Sequence, residues 1–151
     1  MSIRCEIVSQ DRTVYSGEAD MVLLPGTDGE MGILPHHAPV LTTLKFGVIK
    51  VRLQGIETFF TVAGGVAEIQ PDIVTVLADA AENVQEIDLA RAEAARKRAE
   101  ETLARGVPAD DSDAYLKIEA ALRRSNLRLD AARRYRHAAS RSAKPGDESR
   151  S

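Results

Sequence analysis

The sequence predicts an antiparallel β-sandwich or barrel followed by a two-helix hairpin. Three observations carry this. Eight of the ten glycines and four of the six prolines lie in the first half. The charge balance changes near Ala80, from five basic against ten acidic residues over 1–81 to fifteen against thirteen over 82–151. The hydrophobic spacing changes with it, from a period of two to helical spacing.

The first strand is read from Ile3, Cys5 and Ile7 alternating with Arg4, Glu6 and Val8. Further β-like runs follow at Thr13–Ser16, Ala19–Leu24, Val40–Leu44, Val48–Leu53, Thr58–Ala63, Val66–Ile69 and Ile73–Ala78. Pro25-Gly26, Asp28-Gly29, Gln54-Gly55, Gly64-Gly65 and Pro71-Asp72 supply turn chemistry between them. Gly64-Gly65 in particular is expected to be a tight turn, and Gly29–Val40 a glycine- and proline-rich loop. Short strands with frequent turns favour an antiparallel sandwich or barrel.

The first helix is expected from Asp88 to Arg105, a run of Ala, Arg, Lys, Glu and Leu with high helix propensity. Asp88 suits its N-cap, Gly106 its end, and Pro108 prevents continuation. Asp110 to Asp113 offer caps for a second helix carrying Ala114, Ile118, Ala121, Leu122, Ser125, Leu129 and Ala132 at helical spacing. A connection of about seven residues makes the pair antiparallel. The facing stripe of the first helix is Ala92, Ala95, Ala99 and Leu103. Small residues bury little, at roughly 0.8 kcal/mol per methylene. The helices are therefore expected to be more robust than their attachment, the profile of an element that moves while staying helical. The polar composition of 139–151 predicts a disordered tail.

Composition excludes several classes. Net charge is −3, which disfavours a dedicated nucleic-acid binder. A single cysteine, Cys5, rules out an intrachain disulfide framework and any multi-cysteine metal site. No stretch approaches the ~18 apolar residues of a membrane span, and the N-terminus lacks signal- or transit-peptide character. The phosphate-loop, dinucleotide and nucleophile-elbow motifs are absent. His36 and His37 are adjacent and poorly spaced for one metal, so no metal site and no catalytic site are expected.

One constellation stands out. Asp88, Arg91 and Arg98 can share a face of the first helix, and Arg124 and Arg128 a face of the second. In an antiparallel hairpin these arginines converge on a groove near Glu82. Facing guanidinium groups repel unless an anion sits between them, and their forks suit phosphate. The competing reading is a solvated face of weak exposed ion pairs. The second constellation is the loop at Glu30, Met31 and His37, either a presented contact surface or a structural connection.

Three motifs then resemble one family. Gly29 to Val40 reads GEMGILPHHAPV; Gly64 to Pro71 reads GGVAEIQP, followed by VTVLAD at Val74 to Asp79; and Ile87 to Ala92 reads IDLARA. In this order they resemble the epsilon-subunit family of F-type ATP synthases, from Ile3 to about Ala138. The resemblance implies a β-sandwich over 1–84, a regulatory helical hairpin over 85–138 and a tail over 139–151.

It further implies a non-catalytic central-stalk (rotor) subunit of a proton-translocating ATP synthase, peripheral on the cytoplasmic face of the bacterial cell membrane. The implied partners are the gamma subunit, the c-ring, and the alpha and beta subunits. Glu30, Met31 and His37 match the ring-facing loop. Arg123, Arg124, Arg133 and Arg134, with Arg128, give a basic helix suited to docking on acidic beta-subunit segments. Some members bind ATP in the folded hairpin, and the matching residues are Glu82, Asp88, Arg91, Arg98, Arg124 and Arg128. No cofactor is required in that reading; ATP would be regulatory. His36 stands where glycine is common in the family. The alternative reading is a free-standing ATP-sensing module built on the arginine-lined hairpin alone.

Overall fold

A computed structural model of the chain describes residues 1–108 and 110–142, with side chains described through Arg136. Eight strands come first: β1 (Ile3–Val8), β2 (Thr13–Ala19), β3 (Met21–Gly26), β4 (Gly29–Ile33), β5 (Val40–Leu53), β6 (Ile56–Ile69), β7 (Ile73–Ala78) and β8 (Ala81–Asn83). A 3-10 turn at Val84–Glu86 leads to α1 (Leu89–Arg105) and α2 (Ser112–Ser142). The strands run in the order β2-β1-β7-β6-β5-β3-β4, with β8 on β6. All pairings are antiparallel except β1 with β7, which is parallel.

The long pair β5–β6 explains how one ladder makes two layers. In β6 the core residues are Phe60 and Val62 before the glycines, and Ala67 and Ile69 after them. In β5 they are Ile49 and Val51 on one side of the break and Leu44 on the other. Odd and even positions exchange faces on both strands, while the pairing register stays constant from Val40–Ile69 to Leu53–Ile56. The exchange occurs at Gly64 and Gly65, whose φ angles are 85° and 140°. A Cβ on Gly65 would lie 2.4 Å from the Leu77 carbonyl oxygen, so only glycine fits. The ribbon thus turns over, and its two halves contribute inward side chains to the same core, the corner device of sandwiches.

That finding corrects the expected turn at Gly64-Gly65 and joins the expected pairs of short strands into β5 and β6. Alternation that changes phase in mid-strand looks like two strands when read by periodicity. The expected loop at Gly29–Val40 is also partly strand: Gly29–Ile33 pairs with β3 as β4. His36 has a φ of 66°, the left-handed conformation that glycine adopts freely. The His36 N–H is held by the Pro71 carbonyl at 2.8 Å.

The helices start and stop where the sequence indicates. Asp88 Oδ1 accepts from the Arg91 N–H at 3.1 Å, and Gly106 ends α1 with a φ of 87°. Asp111 Oδ1 accepts from Ala114 N–H at the start of α2. Helix α2 continues through Ser142, past the 138 boundary expected for the hairpin, because Ala138 to Ser142 contains no helix breaker. Residues 143–151 of the expected tail lie outside the described residues.

Two clusters hold most of the buried hydrophobic side chains, while Ala92, Ala99 and Leu129 of the helices are buried outside both. Among the described residues, the sandwich core, from Ile3 to Ala78, contains none from the hairpin. The second is small: Phe59, Val84, Ile87, Ala131 and Ala132, with Val48 and Tyr135 against it.

Candidate functional site

The junction between sandwich and hairpin is built from the outer face of the β6 half that precedes the glycines. Successive residues of a strand point to opposite faces, so Phe60 enters the core while Phe59 faces α2. There its ring stacks on Tyr135, with centroids 4.5 Å apart and planes 22° from parallel. Thr61 and Ala63 continue the outer face into a cavity of about 430 Å³. Its polar rim comes from Arg12 in the β1–β2 turn, Glu82 in β8, and Arg124 and Arg128 in α2. Ala95 of α1 and Ala121 of α2 form part of its wall.

The charges within it are partly matched. Arg128 donates from Nε to Glu82 Oε2 at 2.8 Å and from Nη2 to Oε1 at 3.2 Å, a two-point pair of the strong kind. Arg124 is exposed, and no carboxylate lies within ion-pair distance of it among the described residues. Arg12 reaches Glu86 at 3.6 Å on an exposed rim, a contact worth little. The cavity is of ligand-binding size, carries guanidinium groups at its mouth, and offers no nucleophile paired with a base. Its charge and size are those of an anion site.

Of the six residues expected to form the arginine groove, Glu82, Arg124 and Arg128 come together. Asp88 spends its carboxylate on the α1 cap. Arg91 is exposed and does not line the cavity, and Arg98 borders a neighbouring groove that shares Ala95 and Ala121 with it. Three other residues of the expected basic face of α2 have partners within the chain: Arg123 lies over the Phe46 ring at 4.4 Å, Arg133 reaches Glu93 at 3.6 Å, and Arg134 lies 5.4 Å from the Tyr135 ring. In the loop motif, Glu30 is exposed and shares a hollow of about 310 Å³ with Arg134 and Asp130. Met31 packs against the core. His37 Nδ1 donates to the Ala38 carbonyl at 2.7 Å.

Sequence reasoning missed Phe59, Gln85, Tyr135 and Arg136, which hold the end of α2 to the junction. One signal was present: two adjacent phenylalanines in a strand must face opposite ways, so one needs a cover outside the core. Among the described residues, no group of three or more His, Cys, Asp or Glu side chains is arranged to hold a metal. No described helix is long and apolar enough to cross a membrane.

Comparison with known proteins decides the family. Residues 2–84 match the ATP synthase delta/epsilon chain beta-sandwich domain, and residues 85–133 match the ATP synthase delta/epsilon chain long alpha-helix domain. The ATP synthase epsilon chain of Dehalococcoides mccartyi is 44% identical over 140 residues, covering 89% of this chain and 94% of the relative. That of Alkalilimnicola ehrlichii is 40% identical over 141 residues, covering 93% and 99%.

The chain belongs to the epsilon-chain family of ATP synthases.

It is a non-catalytic subunit, and ATP synthesis and ion transport are properties of the complex it serves. Solved structures agree on the fold. A chain of the Euglena gracilis mitochondrial ATP synthase, from a structure of its OSCP, F1 and c-ring, superposes with a TM-score of 0.69 at 22% identity, covering 87% of this chain and 81% of that one. A chain from the central stalk and c-ring of the Tetrahymena thermophila mitochondrial enzyme gives 0.52 at 10% identity, covering 87% and 97%.

Proposed function

We propose that this epsilon chain is the rotor subunit that couples the membrane ring to the catalytic head of a proton-translocating ATP synthase, and that its hairpin regulates ATP hydrolysis by changing position. The partners are gamma and the c-ring for the sandwich, and the alpha and beta subunits for the displaced hairpin. The enzyme sits at the cytoplasmic face of a bacterial membrane, to which this chain is tied only through the complex.

One observation carries the regulatory part: among the described residues, the sandwich core contains none from the hairpin. Displacing the helices costs the small second cluster, the Arg128–Glu82 pair, the Arg136 hydrogen bonds and the Arg123–Phe46 contact, and leaves the main core whole. The sandwich has a surface for a stable partner elsewhere. Val66 and Leu77 are opposed in register on β6 and β7, Leu41 lies on the same face of β5, and all three are exposed. An exposed apolar patch on a folded module suits a protein partner.

The cavity at Glu82, Arg124 and Arg128 supports regulatory ATP as part of the same reading. A ligand that binds only the compact form stabilises it by RT ln(1 + [L]/Kd), about 2.7 kcal/mol at a hundredfold excess. That suffices to set the position of a weakly held hairpin. A free-standing sensor is the weaker reading, because epsilon-chain relatives align over nearly their full length.

The test is reconstitution of the complex with the full chain or with a chain ending at Val84. Assembly and coupling persist with the shorter chain, and hydrolysis rises severalfold. Failure to assemble sinks the division of labour; unchanged hydrolysis sinks the regulation.

A further inference from the structure

We propose that Arg136, Tyr135 and Gln85 form a latch that clips the far end of α2 to the hinge of the hairpin, so that hinge and helix end release together. The hinge is the segment Val84–Asp88, which links β8 to α1. Arg136 Nη2 donates to the Val84 carbonyl at 3.1 Å and to the Ile87 carbonyl at 2.7 Å. Gln85 Nε2 donates back to the Arg136 carbonyl at 3.1 Å. Tyr135, the preceding residue, stacks on Phe59. Arg136 therefore makes three hydrogen bonds to one turn of chain, while Tyr135 beside it holds the same end of α2 to β6.

The geometry makes the contact specific and reversible. Both carbonyls belong to the 3-10 turn and its cap; the Val84 oxygen already accepts the Ile87 N–H at a long 3.4 Å, and Arg136 adds a second, shorter donor to it. A guanidinium with two donors on one nitrogen satisfies both at once. Its Nε, however, is buried without a partner. Undocking gives that N–H back to water, which offsets part of the loss. A fully satisfied buried network would hold far harder.

The latch also sits at the one place where it can act. Holding α2 to the sheet alone would leave the hinge free to bend, whereas tying residue 136 to residues 84 and 87 closes a loop of about fifty residues around the hinge. Tyr135 and Arg136 lie beyond residue 133, where the match to the family's helical domain stops.

The inference rests on the reading of a movable hairpin, and the experiment separates the two. Hydrogen exchange is measured on the full chain and on Arg136→Ala, Gln85→Ala and a chain ending at Arg134, with Arg105→Ala as the control. Exchange at residues 84–88 and along the sheet-facing turns of α2 quickens about tenfold in all three variants. The β5–β6 amides and the control stay as they are. Unchanged protection at the hinge overturns the latch. Loss of protection in the strands as well also overturns it, since the residues would then hold the sandwich rather than the hairpin. Faster hinge exchange with unchanged hydrolysis by the reconstituted complex keeps the latch and removes the regulatory role.

Discussion

Arg128 of α2 and Glu82 of β8 meet across the junction in a two-point ion pair, at 2.8 and 3.2 Å, with each side chain only about a quarter exposed. The pair closes one wall of the cavity and joins hairpin to sandwich with the same atoms. A phosphate entering there competes with Glu82 for Arg128 or relies on Arg124 and Arg12. Affinity for an anion and grip on the hairpin are therefore coupled at a single arginine.

Arg128→Ala leaves the Glu82 carboxylate half-buried without its partner, which costs about 1–3 kcal/mol of hairpin docking. Hydrogen exchange across α2 rises accordingly, and the cooperative melting of the sandwich stays where it was. A lowered sandwich melting temperature would show that the pair supports the β-domain as well.

Arg124→Ala weakens ATP binding by about tenfold or more, because Arg124 is the cavity arginine with no carboxylate to share it. Arg105→Ala, at the exposed end of α1, leaves the calorimetric titration unaltered. Arg91→Ala behaves like the Arg105 control, since Arg91 is exposed outside the cavity. Identical isotherms for Arg124→Ala and the parent chain would remove ATP from this cavity.

His36→Gly raises stability by up to about 1 kcal/mol. The φ of 66° strains a residue with a Cβ, and relief of that strain outweighs the extra freedom glycine brings to the unfolded chain. Urea denaturation reads it as a higher midpoint with the same slope. A lower midpoint would mean that the imidazole contributes a contact of its own.

Cys5 is buried between β2 and β7, and burial, with a smaller contribution from the Glu6 carboxylate, pushes its thiol up to about 12. The folded state thus keeps a proton that the unfolded thiol loses near pH 9. Stability from this group is complete below that value and falls between about pH 9 and 12, with a slope approaching about 1.4 kcal/mol per pH unit. Tyr15, also raised by burial, adds in the same direction. Cys5→Ala flattens the alkaline limb of a stability-against-pH curve even as its cavity lowers stability at pH 7. A limb equally steep in the variant would assign the loss to other groups.

Local signals in the sequence were readable where one residue type does one job. Asp88, Gly106 and Asp111 mark helix ends because caps act over three or four positions, and the structure places each at that task. The long strands were not readable, because the change of face at Gly64-Gly65 breaks an alternation that remains one ladder. The groove was half readable. Helical spacing places Arg124 and Arg128 on one face, but whether Arg91 joins them depends on how α1 rotates against α2, which alanine contacts specify weakly. Pairs such as Gln85 with Arg136 leave no trace in any window, since fifty-one positions separate them.

The change of face within β5 and β6 has one more consequence. It sends Phe59 and Thr61 out through one broad side of the sandwich and Val66 and Glu68 out through the opposite side. The helices lean on the former, while the greasy trio of Leu41, Val66 and Leu77 looks the other way. Two adjacent glycines thus decide which greasy side chains lie under the helices and which stand bare on the far side of the sandwich.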